Sequence, residues 1–229
     1  YVQYKRRDAD LNTEITNAVN AAGDKAKYDA RVKRILAQKN ILAHILVKTV
    51  DEFKGMKPED VVTYIEGEPK VGIVPVEPDK YKLLNRAIFY VSRLVSSQKE
   101  RDFVNTNYDD IKQVFSIWIC MNMDCNSLSH IHLTKDEMLS PYDWKGNMDL
   151  LNIVLVGITN DIPDHEEKYE MHRLIGALLS SELKEQEKLD IIEHEYNIPI
   201  SSELREDVRI MCNLSTGIEE KATEKIILN

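Results

Sequence analysis

The residues best placed to do chemistry are Arg86, Tyr90, Arg93 and Ser97, which recur at three- and four-residue steps in KYKLLNRAIFYVSRLVSSQ. On a helix that spacing makes one narrow stripe. Two guanidinium groups and a phenol on one stripe can line an anion-binding cleft, because guanidinium forks match phosphate geometry. An ordinary solvated face shows the same pattern, and periodicity alone favours it. Opposite the stripe, Leu84, Ala87, Ile88, Val91, Leu94 and Val95 form an apolar face.

A second constellation is Cys120, Cys125, His130 and His132. Structural zinc sites prefer a short knuckle, whereas these cysteines are separated by four residues, and Cys120 lies in an apolar run. A core thiol is the favoured reading. His165, Glu166 and His172 miss the H-E-x-x-H spacing of a metalloprotease helix. No Gly-rich phosphate loop and no G-x-S-x-G elbow occurs. The acidic pairs Asp109/Asp110 and Glu193/Glu195 read as solvated groups.

These residues need elements to hold them. Asp24 is a candidate N-cap for a helix carrying Val32, Ile35, Leu36, Ile41, Leu42, Ile45 and Leu46 to about Phe53, ended by Gly55. Pro58 opens a short helix near Val61–Ile65. The run VGIVPV reads as extended, confined to an edge or loop by its proline. Val114–Met121 reads as a strand buried on both faces, Leu150–Ile158 as a second strong, nearly all-apolar strand, and Ile131–Leu133 as a short strand. Helices follow over Glu166–Leu179, Ser181–Tyr196 and Ser202–Leu214, with a charged tail after Gly217. Strands among helices predict an α/β fold.

The 229 residues suffice for one well-buried core. Three widely placed cysteines give no disulfide framework, and residues 1–10 lack the apolar core of a signal peptide. With no membrane-length apolar run, a cytoplasmic protein with no membrane partner is expected. The net charge is -9, but it is unevenly spread. Residues 1–50 carry ten Lys/Arg against five Asp/Glu, and residues 180–229 carry six against twelve. That asymmetry permits a nucleic-acid partner at the basic end, with Lys33, Arg34 and Lys39 as candidates. The acidic C-terminal helices are candidates for self-association into a homo-oligomer.

Successive blocks carry a family pattern: YDARVKRILAQKNILAHILVKTVDEFKG, NRAIFYVSRLVSSQKERDF, VFSIWICMNM, WKGNMDLLNIVLVGI, ALLSSELKEQEKLDIIEHEYNIPI and MCNLSTGIEEK. In this order they resemble the Rpn-like recombination-promoting nucleases and putative transposases of bacteria, within the PD-(D/E)XK nuclease superfamily. The resemblance spans roughly residues 25 to 221.

It implies a restriction-endonuclease-like core, a small mixed sheet flanked by helices, with a C-terminal helical extension. The implied organisation is a lead-in over 1–23, a nuclease-like domain over 24–180 and the extension over 181–229. It implies DNA as partner and Mg²⁺ as cofactor, held by an Asp and a Glu-x-Gln on a catalytic hairpin, with water as nucleophile. Arg86, Tyr90, Arg93 and Gln98 then belong to the supporting helix, and Arg86 or Arg93 could hold a phosphate. This chain departs from the pattern at one point. It runs from Val76-Glu77-Pro78 directly into Asp79-Lys80-Tyr81, where the family carries its catalytic strands. No Glu-x-Gln occurs in an apolar strand context, and Glu185-Gln186-Glu187 lies on a polar helix. The expectation is a relative of Mg²⁺-dependent DNA endonucleases linked to recombination or transposition, inactive as the sequence stands whether the hairpin is deleted or lies outside this sequence. The alternative is a non-catalytic DNA-binding or protein-interaction module.

Overall fold

A computed structural model describes residues 22–69, 71–72, 82–99 and 107–227. The lead-in before residue 22 and most of the proline-bearing run, 73–78, lie outside the described residues. The chain divides into two compact units. Among the described residues one gathers 22–44, 57–69, 71–72 and 177–227, the other 45–56, 82–99 and 107–176.

In the first unit, helix α1 covers residues 22–36 and buries Val32, Ile35 and Leu36. Asp24 lies inside it rather than capping it and pairs with Lys27 at 3.7 Å. The single helix expected to reach Phe53 is in fact two. The Gln38 N–H bonds to the Ile35 carbonyl at 3.1 Å, tightening the last turn. Helix α2, Lys39–Thr49, then restarts with the Leu42 N–H on the Gln38 carbonyl at 2.8 Å. Pro58 opens α3, Pro58–Val61, at an early position where its missing N–H leaves no orphan donor. A tight turn over Val62–Tyr64 follows.

Four further α-helices follow among the described residues: α4 (Leu83–Ser96), α5 (Glu170–Leu179), α6 (Glu185–Asp190) and α7 (Ser202–Ile227). The boundary between the units falls within α2 and α5. In the first unit α6 runs on into a wide π turn, Ile191–Glu195, and packs on α7. Leu189, Ile192, Tyr196, Ile198, Leu204, Val208 and Met211 are buried there. The predicted charged tail continues α7, which reaches Ile227.

Two polar contacts organise this unit. Asp207 on α7 is 1% exposed and receives Arg31 Nη1 at 2.9 Å and Arg34 Nε at 3.1 Å from α1. Lys188 on α6, also 1% exposed, donates through Nζ to the carbonyls of Leu178 and Ser180. Those are orphan carbonyls at the end of α5, so the amine acts as its cap.

The second unit holds a three-stranded mixed sheet in the order β1-β3-β2. β1 (Val114–Cys120) runs parallel to β3 (Leu151–Gly157), and β2 (Ser127–His132) antiparallel to it. β3 is central, and Asn152, Ile153, Val154 and Val156 are all buried, as its continuous apolar sequence predicts. β1 departs from expectation. Among the described residues it stands at the edge of the sheet, and it is half-buried along its length instead of covered on both faces. Helix α4 packs on one face of the sheet, placing Ala87 and Val91 against Ile153, Val114, Trp118, Leu151, Leu155 and Ile131. No helix among the described residues is long and apolar enough to cross a membrane.

Candidate nucleic-acid interface

Helix α4 is a strong amphipath by sequence, yet only Ala87 and Val91 of its predicted apolar face are buried. Leu84, Ile88 and Leu94 remain 41–45% exposed. Among the described residues β1 is the last strand of the sheet beneath the helix. The arginine stripe thus shares its exposed surface with apolar side chains.

Aromatic rings tie that surface to β1. Tyr90 meets the Trp118 ring edge-on at 5.9 Å between centroids, and Phe89 meets Tyr90 at 6.1 Å. The Arg86 guanidinium lies 5.8 Å from the Tyr90 ring centre, and the Arg93 guanidinium 5.9 Å from that of Phe89. Each contact is worth about 0.5–1 kcal/mol at an exposed site and holds an otherwise flexible side chain. Trp118 is further fixed by its indole N–H, which donates to Ser116 Oγ at 2.9 Å. Helix α4 contains no Asp or Glu; in the chain it is flanked by exposed Lys82, Lys99 and Lys112 and by exposed Asp109 and Asp110. On the helix itself the two arginines are interleaved with aromatic faces.

Gln98 has a different place from the arginines. It is 2% exposed, and its Nε2 donates to the Lys112 carbonyl while its Oε1 accepts the Lys112 N–H, both at 2.8 Å. The amide imitates a backbone strand partner and fixes the approach to β1, two residues before Val114. It positions the surface and does not face outward.

The basic candidates of the first unit are engaged internally in two cases. Arg34 pairs with Asp207, and Lys39 Nζ donates to the Ile65 carbonyl at 2.8 Å. Lys33 is half-buried on α1.

The cysteine–histidine quartet is divided by the sheet. Cys120 stands opposite Gly157 and thus on the face that carries Ile153, whereas His130 and His132 stand opposite Val154 and Asn152 on the other. Burial pushes the Cys120 thiol up, as expected of a core thiol rather than a thiolate ligand. Glu166 pairs with Lys168 at 3.0 Å, and His172 is buried with Nε2 on the Ser127 carbonyl at 3.0 Å. Among the described residues no three His, Cys, Asp or Glu side chains converge on a point.

The resemblance implies Mg²⁺, a hard ion bound chiefly through carboxylates and phosphate. The sequences of the strands, VFSIWIC, SLSHIH and LNIVLVG, include no carboxylate. These strands therefore do not fit a Mg²⁺ centre. Sequence reasoning did not assign Phe89 and Trp118 to this surface. Trp118 read as strand core, although strand alternation would have put it on the same face as Ser116. Compared with known protein families, characterised proteins and solved structures, the chain matches none.

Proposed function

We propose that this chain is a non-cleaving DNA-binding protein related to the Rpn-like nucleases, with a restriction-endonuclease-like core that has lost its catalytic hairpin. The observation that carries the reading is the Arg86/Arg93 stripe, each guanidinium braced by an aromatic ring on a helix without acidic residues. Such a surface attracts phosphates by charge and offers π faces to unpaired bases. The jump from Pro78 to Asp79, where the family carries its metal-binding carboxylates, supports binding without hydrolysis.

The test is fluorescence anisotropy of labelled duplex and single-stranded DNA across a salt series. For two arginines on duplex phosphates, Arg86→Ala/Arg93→Ala should reduce the log–log salt slope by about 1.8. EDTA-sensitive cleavage of DNA by the wild-type chain would overturn the non-cleaving part.

A second reading, self-association, is favoured by one observation. β1 has no partner strand on its outer side among the described residues, and Leu84 and Ile88 stay exposed on α4. A second copy aligned antiparallel along β1 would bury both. A monomer by sedimentation equilibrium at all loading concentrations would remove it.

A further inference from the structure

β2 presents two imidazoles on the face of the sheet opposite α4. His130 pairs in register with Val154 and His132 with Asn152, so both side chains leave from the same side. Cα atoms two residues apart on a strand stand about 6.6–6.8 Å apart. The rings nevertheless close to 5.0 Å between centroids, with their planes 25° apart. Both residues are exposed.

A buried amide sets the chemical state of one ring. Asn152 is 2% exposed, and its Nδ2 donates to the Asp149 carbonyl at 2.8 Å. Its Oδ1 is therefore the atom 2.8 Å from His130 Nε2, which must carry the proton. In the neutral ring the lone pair then lies on Nδ1. This is how metal-ligating histidines are prepared: one ring nitrogen donates to an outer oxygen, which fixes the tautomer and leaves the other nitrogen for the ion.

We propose that His130 and His132 form a two-imidazole binding site for a divalent transition-metal ion, with His130 ligating through Nδ1 and water completing the shell. Imidazole suits Cu²⁺, Ni²⁺ and Zn²⁺, and Cu²⁺ heads the affinity order for such donors. Two protein ligands on an exposed strand do not make the closed four-ligand shell of a structural zinc. The site therefore takes up and releases its ion without unfolding the protein. It is independent of the proposed DNA surface, which lies on the other face of the sheet.

The experiment is titration of Cu²⁺ into the full chain by calorimetry, with electron paramagnetic resonance counting bound nitrogens. The wild type should take one tight equivalent with two imidazole nitrogens. His130→Asn or His132→Asn should weaken it by at least about tenfold, since losing even an outer-shell partner costs about 10–100-fold. His132→Asn should retain one nitrogen, and His194→Asn, at an exposed histidine elsewhere, should change neither reading. Equal affinity and equal nitrogen count in the wild type and in the His130→Asn/His132→Asn double variant would overturn the site. Both rings are exposed, so the asparagine variants are expected to fold, and Ni²⁺ titrated into the same proteins gives an independent reading of the same loss.

Discussion

Removing the arginines around Asp207 should cost more stability than removing Asp207 itself. The carboxylate is 1% exposed, while the Arg31 and Arg34 side chains are 29% and 55% exposed. Without Asp207, both guanidinium groups can turn toward water. Asp207→Asn keeps one acceptor oxygen and loses charge assistance, a loss of about 2–3 kcal/mol when each charge-assisted bond is worth about 1.5–3 kcal/mol. Arg34→Ala removes the more exposed partner and leaves Arg31 in place, so about 1 kcal/mol is expected. The double variant Arg31→Ala/Arg34→Ala leaves a buried carboxylate with neither partner, for which about 3–5 kcal/mol is the expected range. The order is therefore Arg34→Ala, then Asp207→Asn, then the double arginine variant. Urea unfolding followed by far-ultraviolet circular dichroism measures it, with midpoints compared at constant slope. A double variant no less stable than Arg34→Ala would refute the argument that Asp207 depends on these two partners.

Other predictions concern buried polar groups. Gln98→Ala should cost about 1–3 kcal/mol in urea unfolding, because it strips both partners from the Lys112 backbone in a part-buried position. Burial lowers the Lys188 amine below the ordinary lysine value of 10.5. The unfolded chain then binds more protons than the folded one between the lowered value and 10.5, so this residue makes stability rise with pH across that window. Stability measured against Lys188→Met should show that rise as a difference, and a flat difference curve would contradict it.

The parts of the fold that were legible in the sequence are those fixed by local pattern. β3 reads as buried because LNIVLVG has a single polar side chain, and Pro58 marks a helix start that is present. β1 has an equally apolar sequence, but its place at the edge depends on which strands pair, which residue pattern does not encode. The break between α1 and α2 falls in Ala37-Gln38-Lys39, without Gly or Pro, so nothing local announces it. The arginine stripe on α4 was readable from spacing. The Arg86–Tyr90 and Arg93–Phe89 contacts are four residues apart on that helix and equally local, whereas the Tyr90–Trp118 contact depends on how the helix crosses the sheet. Arg34 and Lys39 read as surface cations, and only long-range contacts with Asp207 and the Ile65 carbonyl show their internal engagement. The same holds for His130, whose partner Asn152 lies 22 residues on, across β2 and β3.

The most direct test of the central claim is the salt dependence of DNA binding by the wild type and by Arg86→Ala/Arg93→Ala, measured with Mg²⁺ present. The account predicts binding that weakens steeply with salt, a slope lower by about 1.8 in the variant, and intact DNA throughout. Identical affinity and slope in the two proteins would contradict it.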